Sequence, residues 1–175
     1  MIRRVVATGL IALCMAGSIG AAKADDAASA KKAIQSQYAK SAAAAEKKDL
    51  KGMMAHLAPD YEETGPDGVT VKVDALKSNM QRIVQNVKSI RIAVAISKLT
   101  LKGDKATVLS KETMSMVVTN PQTKKDMKFA MQGTSEEQWE KKSGVWLEKR
   151  AKTLATKQFL DGKELPQPGK QPKKG

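Results

Sequence analysis

Few side chains in this sequence can move a proton near neutral pH. His56 is the only histidine. An imidazole titrates close to neutrality and suits a general base, but no acidic partner stands beside it in the sequence. Glu112 shares its alternation with Val108, Met114 and Met116. In a strand, that parity turns its carboxylate toward the apolar side. A carboxylate placed there holds its proton more tightly and serves as a base or a ligand anchor. Asp60 is the third candidate, next to Tyr61 and just after a short apolar helical stretch. Tyr38 and Tyr61 can each offer a hydroxyl inside an apolar cavity. Met54, Met80 and Phe129 supply an adaptable apolar lining. Each of these residues also has a plain structural use. The tyrosines, methionines and Phe129 fill a core, His56 sits at an edge, and Glu112 pairs with Lys111 or Lys128. Trp139 and Trp146 flank Gly144 and are expected to support strand pairing and packing.

Other chemistries lack their residues. The single cysteine, Cys14, lies in the N-terminal segment. One histidine and one cysteine do not make a zinc site, and no disulfide framework is available. The sequence carries no G-x-x-x-x-G-K-[ST] phosphate loop, G-x-S-x-G elbow, G-x-G-x-x-G fingerprint or H-E-x-x-H helix, whose glycines, nucleophile or paired histidines those chemistries need. No cofactor and no metal is expected.

The elements that must position the candidates begin after an export signal. Met1-Ile2-Arg3-Arg4 is basic, Val5 to Ala22 is apolar, and Ala22-Lys23-Ala24 offers small residues at the two positions a signal peptidase reads. This is the layout of a cleaved secretory signal peptide spanning residues 1–24, and it gives a periplasmic or secreted address. Cleavage takes Cys14, Arg3, Arg4 and Lys23 away from a chain of net charge +13. It also removes the one candidate membrane span, so no stable membrane insertion is expected afterwards. The remaining basic excess is spread along the chain as a solvated, lysine-rich surface. Aromatic residues make up only 3% of the sequence. Without a stacking platform, the charge does not point to nucleic acid.

Alternation and turn residues then predict one domain over residues 25–160. Ala27 to Lys48 reads as a helix with Ile34, Tyr38, Ala42 and Ala45 on one stripe. Asp49 caps a second short helix that Pro59 ends. Tyr61–Thr64 and Val69–Val71 are short strands around the Gly65-Pro66-Asp67-Gly68 turn. A third helix opens at Asp74 as its N-cap and carries Leu76, Met80, Ile83, Val84 and Val87. From Ser89 the period becomes two. Ile90, Ile92, Val94 and Ile96 alternate, then Leu99 and Leu101 take the opposite parity, which predicts a bulge near Ser97-Lys98. Turns at Gly103-Asp104, Asn120–Thr123 and Lys142–Gly144 separate four long strands, the last opened by Val145 and Leu147. Residues 161–175 are rich in Gly, Pro and Lys and read as a disordered tail. The fold class is α+β: three N-terminal helices on a curved four-stranded antiparallel sheet, with two short extra strands.

Several motifs resemble those of small SnoaL-like proteins in the nuclear transport factor 2-like superfamily, a cone-shaped fold shared with ketosteroid-isomerase-like proteins. They are Asp49-Leu50 followed by Ala58-Pro59-Asp60-Tyr61, then Thr64-Gly65-Pro66-Asp67-Gly68, then Gly103-Asp104-Lys105-Ala106-Thr107-Val108, then Gln138 through Trp146. The resemblance covers roughly residues 30 to 160, the size of one domain. It implies a pocket between the concave face of the sheet and the helices, and pairing of two copies through the sheet. Enzymes of the superfamily place an acid or base inside the cone.

No aligned catalytic set accompanies these motifs. The first expectation is therefore an exported, non-catalytic domain that binds a small apolar or amphipathic ligand, or a protein partner, in the cone. Tyr38, Met54, Tyr61, Met80, Glu112 and Phe129 would line it. The second is a proton-transfer enzyme of isomerase or hydrolase type, with Glu112 or Asp60 as base and His56 as a further candidate. The third is a dimeric interaction module that meets an anionic envelope surface through its lysines.

Overall fold

The computed structural model describes residues 19–166, with side chains from residue 25. The basic start and most of the apolar run of the expected signal peptide lie outside the described residues, as does the tail from residue 167. Helix α1 runs Ile19–Glu46 and α2 is a single turn, Leu50–Met53. Strands β1 (Leu57–Thr64) and β2 (Thr70–Lys72) precede α3 (Val73–Asn86). Four long strands follow: β3 (Val87–Lys102), β4 (Lys105–Thr119), β5 (Asp126–Lys142) and β6 (Val145–Leu160). A short β7 (Lys163–Glu164) closes the order.

The sheet corrects the expected four antiparallel strands with two extra ones. All seven strands form one sheet in the order β2-β1-β6-β5-β4-β3, with β7 also on β6. The long strands pair as antiparallel hairpins, but β1 runs parallel to β6. Alternation reveals a strand's period but not its distant partner, and a parallel pair needs a long crossover. Here everything from β2 to β5 is that crossover. Because β5 occupies one edge of β6 along its length, β1 and β7 share the other.

Local chemistry explains most boundaries. Asp49 caps α2 by accepting from the Gly52 amide at 3.1 Å. Gly52 is needed there, because a Cβ would lie 2.7 Å from the Cβ of Ala44 on α1. Pro59 does not end a helix as expected. It sits inside β1, where the pairing with β6 is irregular between Leu57 and Glu62, and an irregular stretch tolerates a residue without an amide proton. Asp74 is not the cap of α3. Val73 opens the helix, and Asp74 lies in its first turn, where a carboxylate meets the positive end of the helix dipole. The bulge expected near Ser97-Lys98 is present as a register shift between Ile96 and Lys98. Ser143-Gly144 and Asp161-Gly162 both have positive φ at two successive residues, the signature of tight hairpin turns matched to strand twist. The second of these turns carries the chain into β7, so pairing continues beyond residue 160, where the tail was expected to begin.

The core divides along α1. Its middle turns pack Ala30, Ile34 and Tyr38 against Ala106, Val108, Trp139 and Trp146. Its C-terminal half packs Ala44 and Ala45 with Met53, Val87, Ile90 and Met114. Small residues let the helix approach the sheet closely. Helix α3 buries none of its side chains fully, and its apolar face only half covers the sheet. The opening beside it is where the cavity lies.

The two helices should therefore differ in energetic weight. Ile34→Ala, at a fully buried position, is expected to cost about 2–5 kcal/mol. Val84→Ala on half-buried α3 should cost about 1 kcal/mol or less. Urea unfolding of the two variants checks this, and equal losses would contradict the division.

Candidate functional site

The cone encloses a cavity of about 280 Å³. Its apolar wall includes Met53, Met54, Leu76, Met80, Ile92, Val94, Met114 and Met131. Four glutamates share that wall: Glu63 from β1, Glu112 from β4, Glu137 from β5 and Glu148 from β6. His56, Tyr38 and Tyr61 complete the titratable lining, and among the described residues no lysine or arginine lines it. A second cavity of about 800 Å³ adjoins the first and shares Glu63, Glu112, Met131 and Ser135 with it.

Strand parity puts the carboxylates inside. On β1, Tyr61 and Glu63 line the cavity while Asp60 and Glu62 face outward, tied to Lys149 and Arg150 on β6. On β5, Glu137 and Trp139 share the inner face, and on β6 Trp146 and Glu148 do so. Val145 of β6 is exposed and Leu147 half-buried, so the inward set on that strand is not the one its aliphatic residues suggest.

Glu137 is held most firmly. Tyr38 Oη donates to its Oε2, Trp139 Nε1 donates to the same oxygen at 2.9 Å, and Ser110 Oγ donates to Oε1 at 2.5 Å. Tyr38 and Trp139 meet edge to face at 5.4 Å between ring centres. His56 stacks on Trp139, with ring centres 5.9 Å apart. Its Nε2 faces Glu148 Oε2 at 3.6 Å. The His56 carbonyl accepts from the Glu148 amide at 2.9 Å, which fixes the turn before β1 against β6.

The buried, largely apolar surroundings favour neutral forms. Burial pushes the Glu112 carboxyl up to about 7, and the Glu63 and Glu137 charges add to that effect. Burial, then repulsion from Glu137, Glu112 and Glu63, holds Glu148 well above the usual carboxylate range. Burial likewise raises Glu63. The His56 ring moves the other way: burial lowers it to about 4, against an opposing effect of the Met53 carbonyl. Both tyrosines are raised by burial and nearby glutamates, so they remain hydrogen-bond donors. Near neutral pH the cavity therefore contains a neutral imidazole and, in Glu112, a carboxyl poised to gain or lose its proton.

Most of the residues singled out in the sequence meet here. Tyr38, Met54, His56, Tyr61, Met80 and Glu112 all line the cavity. Two do not. Asp60 is corrected: its side chain is 69% exposed and bonded to Lys149, which lowers its proton affinity, so it is no cavity base. Phe129 lines neither cavity. It lies half-buried toward the far end of β5, between Met116 and Leu160. Glu63, Glu137 and Glu148 were not anticipated. A signal existed, since each stands two residues from a buried aromatic on the same strand: Tyr61, Trp139 and Trp146. His56 also gains the acidic neighbour that local sequence did not show. Among the described residues, no group of three or more His, Cys, Asp or Glu is arranged to hold a metal ion.

These environments set a pH dependence of stability. Groups raised on folding, as Glu112 is, contribute stability that is present below the unfolded carboxylate value and is lost as pH rises through about 7. His56, lowered on folding, contributes stability that is present above about 6.5 and is lost as pH falls toward 4. Glu112→Gln should remove part of the loss between pH 4.5 and 7, on the order of 1–3 kcal/mol at pH 7. Denaturant titrations at successive pH values read this directly. An unchanged pH profile in the variant would refute the assignment.

No protein-family model matches the sequence, and no curated protein matches it. Solved structures do resemble the fold. A Novosphingobium aromaticivorans protein named for scytalone dehydratase aligns with a TM-score of 0.64 at 17% identity, over 76% of this chain and 89% of that one. A type 2 hexachlorocyclohexane dehydrochlorinase, LinA, aligns with a TM-score of 0.60 at 14% identity, over 83% and 99%. A protein from Planctomyces limnophilus gives 0.60 at 13% identity, over 71% and 94%. At these identities the likeness is one of fold alone, and that fold is the α+β cone the sequence motifs led to expect.

Proposed function

We propose that this chain is an exported, SnoaL-like domain that binds a small amphipathic molecule in the cone and transfers a proton on it, with Glu112 as the base. The observation that carries this reading is the convergence of Glu112 with three further glutamates on one apolar cavity whose lining has no lysine or arginine. An anionic ligand would be repelled there, so the ligand is uncharged or cationic. Its apolar body meets the methionine wall, and the larger adjoining cavity gives it room.

Glu112 suits the role on two counts. It faces the cavity, and its proton affinity near pH 7 balances availability of the carboxylate against its strength as a base. Tyr61 can donate to a polar atom of the ligand, because its hydroxyl keeps its proton. The neutral His56 ring offers a second site for a proton beside Glu148. Two structural neighbours are named for a dehydratase and a dehydrochlorinase. Both names denote eliminations, in which a base takes a C–H proton, the C–H electron pair forms the double bond, and a leaving group departs with its own pair. This supports elimination as the reaction class. The exported setting rests on the layout of residues 1–24 and is part of the proposal.

Two measurements test it. Thermal shift with benzyltrimethylammonium, benzyl alcohol and benzoate as probes should show stabilisation by the first two only. Saturation at a hundred times Kd would add about 2.7 kcal/mol. Stabilisation by benzoate alone would overturn the ligand class. In a panel of β-hydroxy and β-halo ring compounds, turnover should rise with pH through about 7. Glu112→Gln should lower it by about 10²–10⁴. Full activity in that variant would remove Glu112 from the reaction.

A further inference from the structure

Glu137 has no part in the proposed reaction, and it is the best held of the cavity carboxylates. Both of its oxygens act as acceptors, from Tyr38 on α1, Ser110 on β4 and Trp139 on β5. Trp139 Nε1 can only donate. The three donors come from three different elements and fix the carboxyl group in place. Only 6% of the residue is exposed, so water screens that charge little.

We propose that Glu137 is a positioning residue: a fixed negative charge, locked by Tyr38, Ser110 and Trp139, that decides which other cavity glutamates carry protons. Every titratable group facing it from the surrounding elements is accounted for. Tyr38 lies on α1, His56 in the turn before β1, Tyr61 and Glu63 on β1, Glu112 on β4 and Glu148 on β6. Helix α3 contributes only Leu76 and Met80. No lysine or arginine lines the cavity to offset the charge.

The effect is strongest on Glu148. This residue lies opposite Trp139 in the β5–β6 register, and Trp139 holds Glu137. Repulsion from Glu137 is the largest charge effect on Glu148, while on Glu112 it comes after that of Glu63. Glu148 faces His56 Nε2 at 3.6 Å; burial raises the carboxyl and lowers the ring, so both lean toward their neutral forms, while Glu112 is held at about 7. Glu137 thus acts through its neighbours and does not itself need to touch the ligand.

This inference rests on the reading of Glu112 as the working base, but its test needs no ligand and no turnover. Side-chain carboxyl carbons of ¹³C-glutamate-labelled protein are titrated by NMR, with Glu112 and Glu148 assigned from Glu112→Gln and Glu148→Gln. Removing the charge with Glu137→Gln should move the Glu148 midpoint down, and the Glu112 midpoint down from about 7 by a smaller amount, because burial and Glu63 also hold Glu112 up. If the amide does not fold, Glu137→Met removes the same charge with an apolar group of similar length. Trp139→Phe deletes one donor and keeps the charge. It should weaken the fold yet leave the Glu112 midpoint near its wild-type value. Glu148 and Glu112 midpoints both unmoved by loss of the Glu137 charge would overturn the inference and reduce Glu137 to a structural hydrogen-bond acceptor. A moved midpoint with no binding of any probe would keep it and overturn the ligand reading alone.

Discussion

A carboxylate carried into a protein core must be met by donors, and in this chain Glu137 meets three. Tyr38, Ser110 and Trp139 reach it from the long helix and from two neighbouring strands. That one constraint ties α1 to the concave face of the sheet at the depth where the aromatic residues pack. A buried charge stripped of its partners costs several kcal/mol. Helix, strands and tryptophan are thus held in one relative geometry. His56 stacks on the same tryptophan, so the turn before β1 is fixed by the same contact set. Ile34 and Val108 pack in the same apolar cluster as Tyr38 and Trp139.

The rest of the cavity inherits its chemistry from that arrangement. The chain carries a net charge of +13, yet its cavity collects acids, and among the described residues no lysine or arginine lines it. Charges that would be unremarkable on the surface repel one another in a confined apolar space. The system relaxes by holding protons. The carboxyls of Glu112 and Glu148 rise, the ring of His56 loses its proton readily, and the tyrosines keep theirs. A cone with one well-packed helix and one loosely packed helix leaves such a space open beside α3, where Leu76 and Met80 form a thin wall.

How much of this could be read from residues alone differs by element. The α+β class, the three helices, the four long strands and the bulge at Ser97-Lys98 all follow from short-range patterns, and they are present. The parallel pairing of β1 with β6 was not legible, because β1 finds its partner across most of the domain. The Asp74 and Pro59 readings went wrong for a related reason. Local preferences for caps and helix stops yielded to where the chain had to join the sheet. Glu112 was found by parity and Asp60 was misread, although both are carboxylates beside apolar residues. The irregular pairing of β1 turned Tyr61 and Glu63 inward and left Asp60 to Lys149.

By itself the sequence determined the element types, the turns, the charge balance and the parity of Glu112, because each depends on residues a few positions apart. Only the tertiary structure decided that Glu63, Glu112, Glu137 and Glu148, spread over four strands, face one cavity, and that His56 stands against Glu148. Proton affinities in this protein are properties of that enclosure. Burial and mutual repulsion act through space over a few ångströms, and no spacing along the chain records which strands will bring their carboxylates together.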